Sequence, residues 1–88
     1  LTDDHLLAIE AHEISHSLLN HHESDRLAKY DERQEQEADW LAIRILDRMG
    51  HGKASSLLEE RYQLYYNEPS DSLTQTDSLE NTLTEYLK

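Results

Sequence analysis

The first apolar pattern runs from Leu7 through Ala11 and Ile14 to Leu18, at intervals of four, three and four. That spacing keeps the four residues on one side of an α-helix. His5, Ile9, His12 and His16 form the neighbouring stripe, so the histidines border the expected buried face. Thr2 or Asp3 is placed to cap this helix, with acidic residues in the first turn where the dipole favours them. The helix is expected to end between Asn20 and His22. Residues 21–31 carry no clear period and read as a connecting loop. Asp31 then opens a second helix, with Gln34 three positions on as the partner of a capping box. Its apolar face is Ala38, Leu41, Ala42, Ile45 and Met49, and Gly50 and Gly52 stop it, with Arg48 near the negative end. A third helix is expected from about Lys53 to Tyr66, with Leu57, Leu58, Arg61, Tyr62 and Tyr65 supplying a mixed face. Pro69 cannot continue it.

Residues 70–76 are polar and read as a mobile link. Asp77 and Glu80 read as another capping box, ahead of Leu79, Leu83, Tyr86 and Leu87. This is a short amphipathic helix, expected to dock on the body. Every apolar pattern has a helical period, so the expected fold is mainly α. Residues 1–66 form its core, and residues 67–88 an acidic linker with a short C-terminal helix.

A chain of 88 residues fits one small domain. Such a domain buries a modest core and often leans on a metal, disulfides or a partner. There is no cysteine. Disulfides and thiolate metal sites are therefore excluded, and any zinc must use His and carboxylate ligands. The absence of cysteine also fits a reducing compartment. Eight Lys and Arg stand against 19 Asp and Glu, a formal net charge of −11. That balance repels phosphate backbones and argues against direct nucleic-acid binding. It suits solubility or a basic partner. No apolar run approaches the roughly 20 residues of a membrane span, and no signal-peptide pattern opens the chain. The first residue is Leu1 rather than Met, which suggests that further residues precede it.

The candidate chemistry starts at His12-Glu13-Ile14-Ser15-His16. Residues four apart on a helix stand one above the other, so His12 and His16 can offer two imidazoles to one ion. Glu13 lies about 100° round the helix from His12 and about 60° from His16. It can reach a water beside the ion without ligating the ion itself. This H-E-x-x-H arrangement supplies two ligands and a general base from one turn. A helix that merely carries histidines is the alternative in a chain with six of them. A hydrolytic zinc site takes three protein ligands. On the second helix Glu35 and Asp39 are four apart and share a face. Glu35 is the expected third ligand, with Glu37 as the alternative. Asp39 can accept the other ring N–H of a ligand histidine and fix its tautomer. A solvated acidic face made of Glu32, Glu35, Glu37 and Asp39 is the competing reading.

The paired stretches His12–His16 and Glu35-Gln36-Glu37-Ala38-Asp39-Trp40-Leu41-Ala42 resemble the gluzincin class of zinc metallopeptidases. The nearest resemblance is to the ImmA/IrrE family, whose glutamate helix carries a similar E-x-E-A-[ND]-x-[FL]-A pattern. HtpX-like and CAAX-prenyl-protease-like peptidases share H-E-x-x-H and E-x-x-A-D. The resemblance spans about residues 5–50. It implies a zincin-like helical core and a zinc-dependent endopeptidase acting on a protein or peptide substrate, in a regulatory role. It makes His12, His16 and Glu35 the Zn²⁺ ligands, Glu13 the base and later the acid, and Asp39 the support of a ligand. An oxyanion donor is still needed, with His5, His21, His22, His51 and Tyr30 as candidates. In the family a small β-sheet precedes the active helix, and its edge holds the substrate. Only 11 residues precede His12. The sheet is therefore expected from an upstream segment or a partner protein, and these 88 residues are expected to bind zinc but cleave peptides poorly. The other reading is a zinc-stabilised helical protein-interaction module without activity of its own. A helical adaptor without metal is the third.

Overall fold

A computed structural model describes residues 3–20, 30–74 and 76–88. Among them are four α-helices and no strand: α1 (Asp3–Leu18), α2 (Glu32–Arg48), α3 (Gly52–Tyr66) and α4 (Asp77–Tyr86), with a 3-10 turn at Ser70–Ser72. The fold is mainly α, as the periodicity predicts. Thr2 and most of the loop expected at 21–31 lie outside the described residues.

Helix α2 is the one on which the others pack, and it touches α1, α3 and α4. Residues 38–43 are buried without a break, followed by Ile45 and Leu46. A single apolar stripe covers one neighbour. Trp40, Ile43 and Leu46 add the further faces that a central helix needs. Its start is the capping box expected from the sequence. The Gln34 N–H donates to Asp31 Oδ1 at 2.8 Å, and the Asp31 N–H donates to Gln34 Oε1 at 3.0 Å. Its end is a Schellman turn. The His51 N–H donates to the Leu46 carbonyl at 2.8 Å, and the Gly50 N–H to that of Asp47 at 3.2 Å. Gly50 adopts φ +83°, where a β-carbon is strained. Met49 is not part of the buried face and is 54% exposed. It is the C-cap, so its side chain leaves the helix beyond the last core turn.

The inward face of α1 differs from the expected stripe. Ala8, Ala11, His12, Ser15 and His16 are buried, whereas Ile14 is 41% exposed and Leu7 and Leu18 are only partly covered. The histidines occupy the interface rather than border it. Two physical reasons account for this. Small residues on α1 let the helices come close. The imidazoles also find polar partners on α2, so their burial is compensated. Ser15 meets its own need by donating to the Ala11 carbonyl at 2.7 Å.

Helix α3 begins at Gly52, one residue before its expected start, and ends at Asn67 with φ 61°. Ala54, Leu58 and Tyr62 enter the core. Ser55 Oγ donates to the Ile43 carbonyl at 3.0 Å, and Gln36 Nε2 donates to the Tyr62 hydroxyl at 2.9 Å. Tyr65, expected on the mixed face with Leu58 and Tyr62, is 69% exposed. Tyr62 and Tyr66, one turn apart, take the inner positions.

The expectation of a mobile link at 70–76 fails at Ser70, which is 1% exposed. Its hydroxyl donates to Glu59 Oε1 at 2.6 Å and its N–H to Glu59 Oε2 at 3.1 Å. Arg44 Nη1 donates back to Ser70 Oγ at 2.7 Å, and the same guanidinium lies over the Trp40 ring, 4.3 Å from its centroid. This polar knot ties the segment to α2 and α3. The Asp77–Glu80 capping box does not form. Thr76 is the N-cap, without a side-chain cap bond, and Asp77 already lies in the first turn, where its charge favours the dipole. Leu79 and Leu83 bury α4 in the same core. No helix among the described residues is long and apolar enough to cross a membrane.

Replacing Ser70 by Ala would leave Glu59 and the half-buried Arg44 without a shared partner. We expect a destabilisation of about 1–3 kcal/mol in urea unfolding, with helix content retained.

Candidate metal centre

Helix α1 presents His12 and His16 one turn apart, and α2 presents Glu35 and Asp39 one turn apart. The two pairs meet at the α1–α2 contact. His16 Nε2 lies 2.7 Å from Glu35 Oε1 and 3.1 Å from His12 Nε2, and His12 Nε2 lies 3.5 Å from Glu35 Oε1. Three donors therefore converge on one point. Ligands at about 2.0–2.1 Å from a tetrahedral zinc ion stand about 3.3 Å apart. The observed separations bracket that value, so the donor set fits such an ion in type and in spacing. The two imidazoles are edge-on, with centroids 4.6 Å apart and planes 85° apart. Both in-plane lone pairs can then aim at one point without a ring clash.

Asp39 fixes the first of these rings. Its Oδ1 lies 2.7 Å from His12 Nδ1, and its side chain is 1% exposed. A carboxylate in that position accepts a hydrogen bond from the Nδ1–H and keeps the proton on that nitrogen, which leaves the Nε2 lone pair of the neutral ring for the cluster. Burial pulls the His12 pKa down. The hydrogen bond and charge of Asp39, and then the charge of Glu35, outweigh it and hold the pKa above 6.5, with Arg61 opposing. Tyr30 lies flat against the other ring, His16, with centroids 3.6 Å apart and planes 8° apart.

Glu13 is exposed beside this cluster. With His12 and Arg61 it lines a groove of about 550 Å³ between α1 and α3, whose walls include Ala8, Ile9, Leu57 and Leu58. Arg61 Nε stands 4.0 Å from Asp39 Oδ2. The Tyr66 hydroxyl stays protonated, because burial first, and then the charges of Asp39 and Glu35, hold its pKa well above the usual 10.

The structure thus gathers His12, His16, Glu35 and Asp39 as expected, with Glu13 next to them. Glu37 is not in the group. It pairs with Arg33, one turn away on α2, at 3.3 Å. His5 lines the groove, and His51 stands before α3, at the far end of α2 from Glu35. His21 and His22 lie outside the described residues. Sequence reasoning placed Arg61 only on a mixed helix face and Tyr30 only among possible oxyanion donors. Their positions depend on how three helices cross, and the sole local signal was a cation one turn from Leu57 in an acidic chain. No protein-family model, curated protein or solved structure matches the chain.

A folded-state pKa above the unfolded 6.5 means that protonated His12 stabilises the metal-free chain. That contribution is complete below about pH 6.5 and is lost as pH rises through the folded value. The urea midpoint of chelator-treated protein is expected to fall between about pH 6 and pH 8, and to fall less in Asp39→Asn. Zinc requires neutral imidazoles, so the stabilisation it adds should grow over the same interval.

Proposed function

We propose that the chain is the zinc-binding catalytic core of a peptide hydrolase of the gluzincin class, similar to the ImmA/IrrE family. One observation carries this reading: His12 Nε2, His16 Nε2 and Glu35 Oε1 converge from two helices, with Glu13 on the rim of the adjoining groove. Those three side chains would hold the ion, and Asp39 would orient His12. A bound zinc ion supplies Lewis acidity, polarising a carbonyl and lowering the pKa of water towards about 7.

The remaining chemistry belongs to the chain. Glu13 accepts a proton from the attacking water and delivers it to the amine nitrogen as the C–N bond breaks. The apolar walls of the groove take a substrate side chain and keep water from it. Arg61 offers N–H donors to a substrate carbonyl oxygen on the same wall. The acidic surface and the terminal helix leave room for a protein partner. A zinc-stabilised interaction module is the second reading. It is favoured by the ligands coming from two helices, because an ion there would pin α1 to α2 whether or not any chemistry follows.

Metal analysis of the purified chain is expected to find one zinc per chain, lost in the double variant His12→Ala, His16→Ala. Unchanged zinc in that variant would remove the site.

Glu13→Gln is expected to keep zinc and helix content while lowering peptide cleavage by on the order of 10²- to 10⁴-fold. A variant that loses its zinc would make Glu13 a ligand. Tight zinc binding with no chelator-sensitive cleavage, even when an upstream segment or a partner supplies the sheet edge, would favour the module.

A further inference from the structure

The stack on His16 is a feature that the proposed chemistry does not use. Tyr30 immediately precedes Asp31, the N-cap of α2. The Glu35 N–H donates to the Asp31 carbonyl at 3.0 Å, which closes the first turn of that helix. Glu35 then meets His16 Nε2 at 2.7 Å, while the Tyr30 ring covers the face of the same imidazole at 3.6 Å. His16 is left 1% exposed. One six-residue segment, 30–35, therefore holds His16 from two directions, with a carboxylate at its edge and a phenol on its face.

We propose that Tyr30 is a positioning residue of the metal centre, setting the plane of the His16 ring and tightening ligation through it. This rests on the reading of His12, His16 and Glu35 as a metal site. An imidazole ligates through a lone pair that lies in its ring plane. Rotation about the bond between Cβ and the ring swings that lone pair off the ion, and a parallel ring in van der Waals contact blocks the rotation. Ligation also draws electron density out of the imidazole. The electron-rich face of the phenol attracts such a ring more strongly than an unligated one. The stack therefore favours the loaded state over the unloaded one, and by linkage it raises metal affinity. Partners that fix a ligating histidine are typically worth 10- to 100-fold in affinity. Asp39 does this for His12 by a hydrogen bond, and Tyr30 does it for His16 by its face.

The test is titration of zinc, and separately of cobalt, into the full chain and into Tyr30→Phe and Tyr30→Leu. Phe keeps the aromatic face, whereas Leu keeps apolar bulk without it. Tyr30→Phe should stay within about threefold of the parent zinc affinity, and Tyr30→Leu should fall about tenfold or more. Tyr30→Leu should also shift the cobalt d–d absorption while its helical circular dichroism is unchanged. Parent affinity and an unshifted cobalt spectrum in Tyr30→Leu would overturn the proposal. If that variant loses its helices, the decision passes to proton NMR of the parent chain. There the ring protons of His16 should lie upfield, under the Tyr30 face, and an ordinary shift overturns the proposal. A parent chain that binds neither ion while showing the upfield shift would instead sink the metal reading itself.

Discussion

The packing of α1 on α2 depends on one constraint: two imidazoles and a carboxylate, all nearly excluded from water, must satisfy one another. His12, His16 and Asp39 are buried at this contact, and Glu35 closes the fourth side. Polar groups in such a place are tolerated only when paired. The pairing is geometric as well as electrostatic. Each helix contributes two groups one turn apart, so the four meet only if the helices lie close and in one register. Ala8, Ala11 and Ser15 provide the closeness. The site is therefore a large part of what the α1–α2 interface is made of.

The other packing decisions follow from α2 lying at the centre. Its caps are local and strong, a capping box at one end and a Schellman turn at the other. Its middle is covered on every side. Helix α3 returns along it through the Gly50 turn and brings Arg61 to the groove beside Glu13 and His12. The Arg44–Ser70–Glu59 knot then directs the chain after Pro69 back towards α2, where Leu79 and Leu83 of α4 complete the core.

Much of this was legible in the sequence, because the signals concerned are local. The capping box at Asp31, the stop at Gly50 and the break at Pro69 each depend on a few adjacent residues. The set His12, His16, Glu35 and Asp39 was legible because helical spacing places each pair on one face. What escaped depended on tertiary context. Ile14 is more apolar than His12 or His16, so an apolar count turned α1 the wrong way. Partners on α2, which no window on α1 contains, decide that rotation. Ser70 looked like a linker residue because its neighbours are polar. Its partners, Glu59 and Arg44, are 11 and 26 positions away. Asp77 matched a capping pattern, but the helix had already begun there. Tyr30 has no periodic partner, and only the crossing of α1 and α2 puts it on His16.

The unbroken burial along α2 has a further consequence. An α-helix advances about 1.5 Å and turns about 100° with each residue. One residue gained or lost between Glu35 and Leu46 would leave every side chain beyond it out of phase with the groups on the near side. Glu35 and Asp39 at one end, and the Trp40–Arg44–Ser70 contact further along, are parts of the same screw. Change in this stretch is therefore confined to substitution at fixed length, and variation in length must fall in the connections between helices.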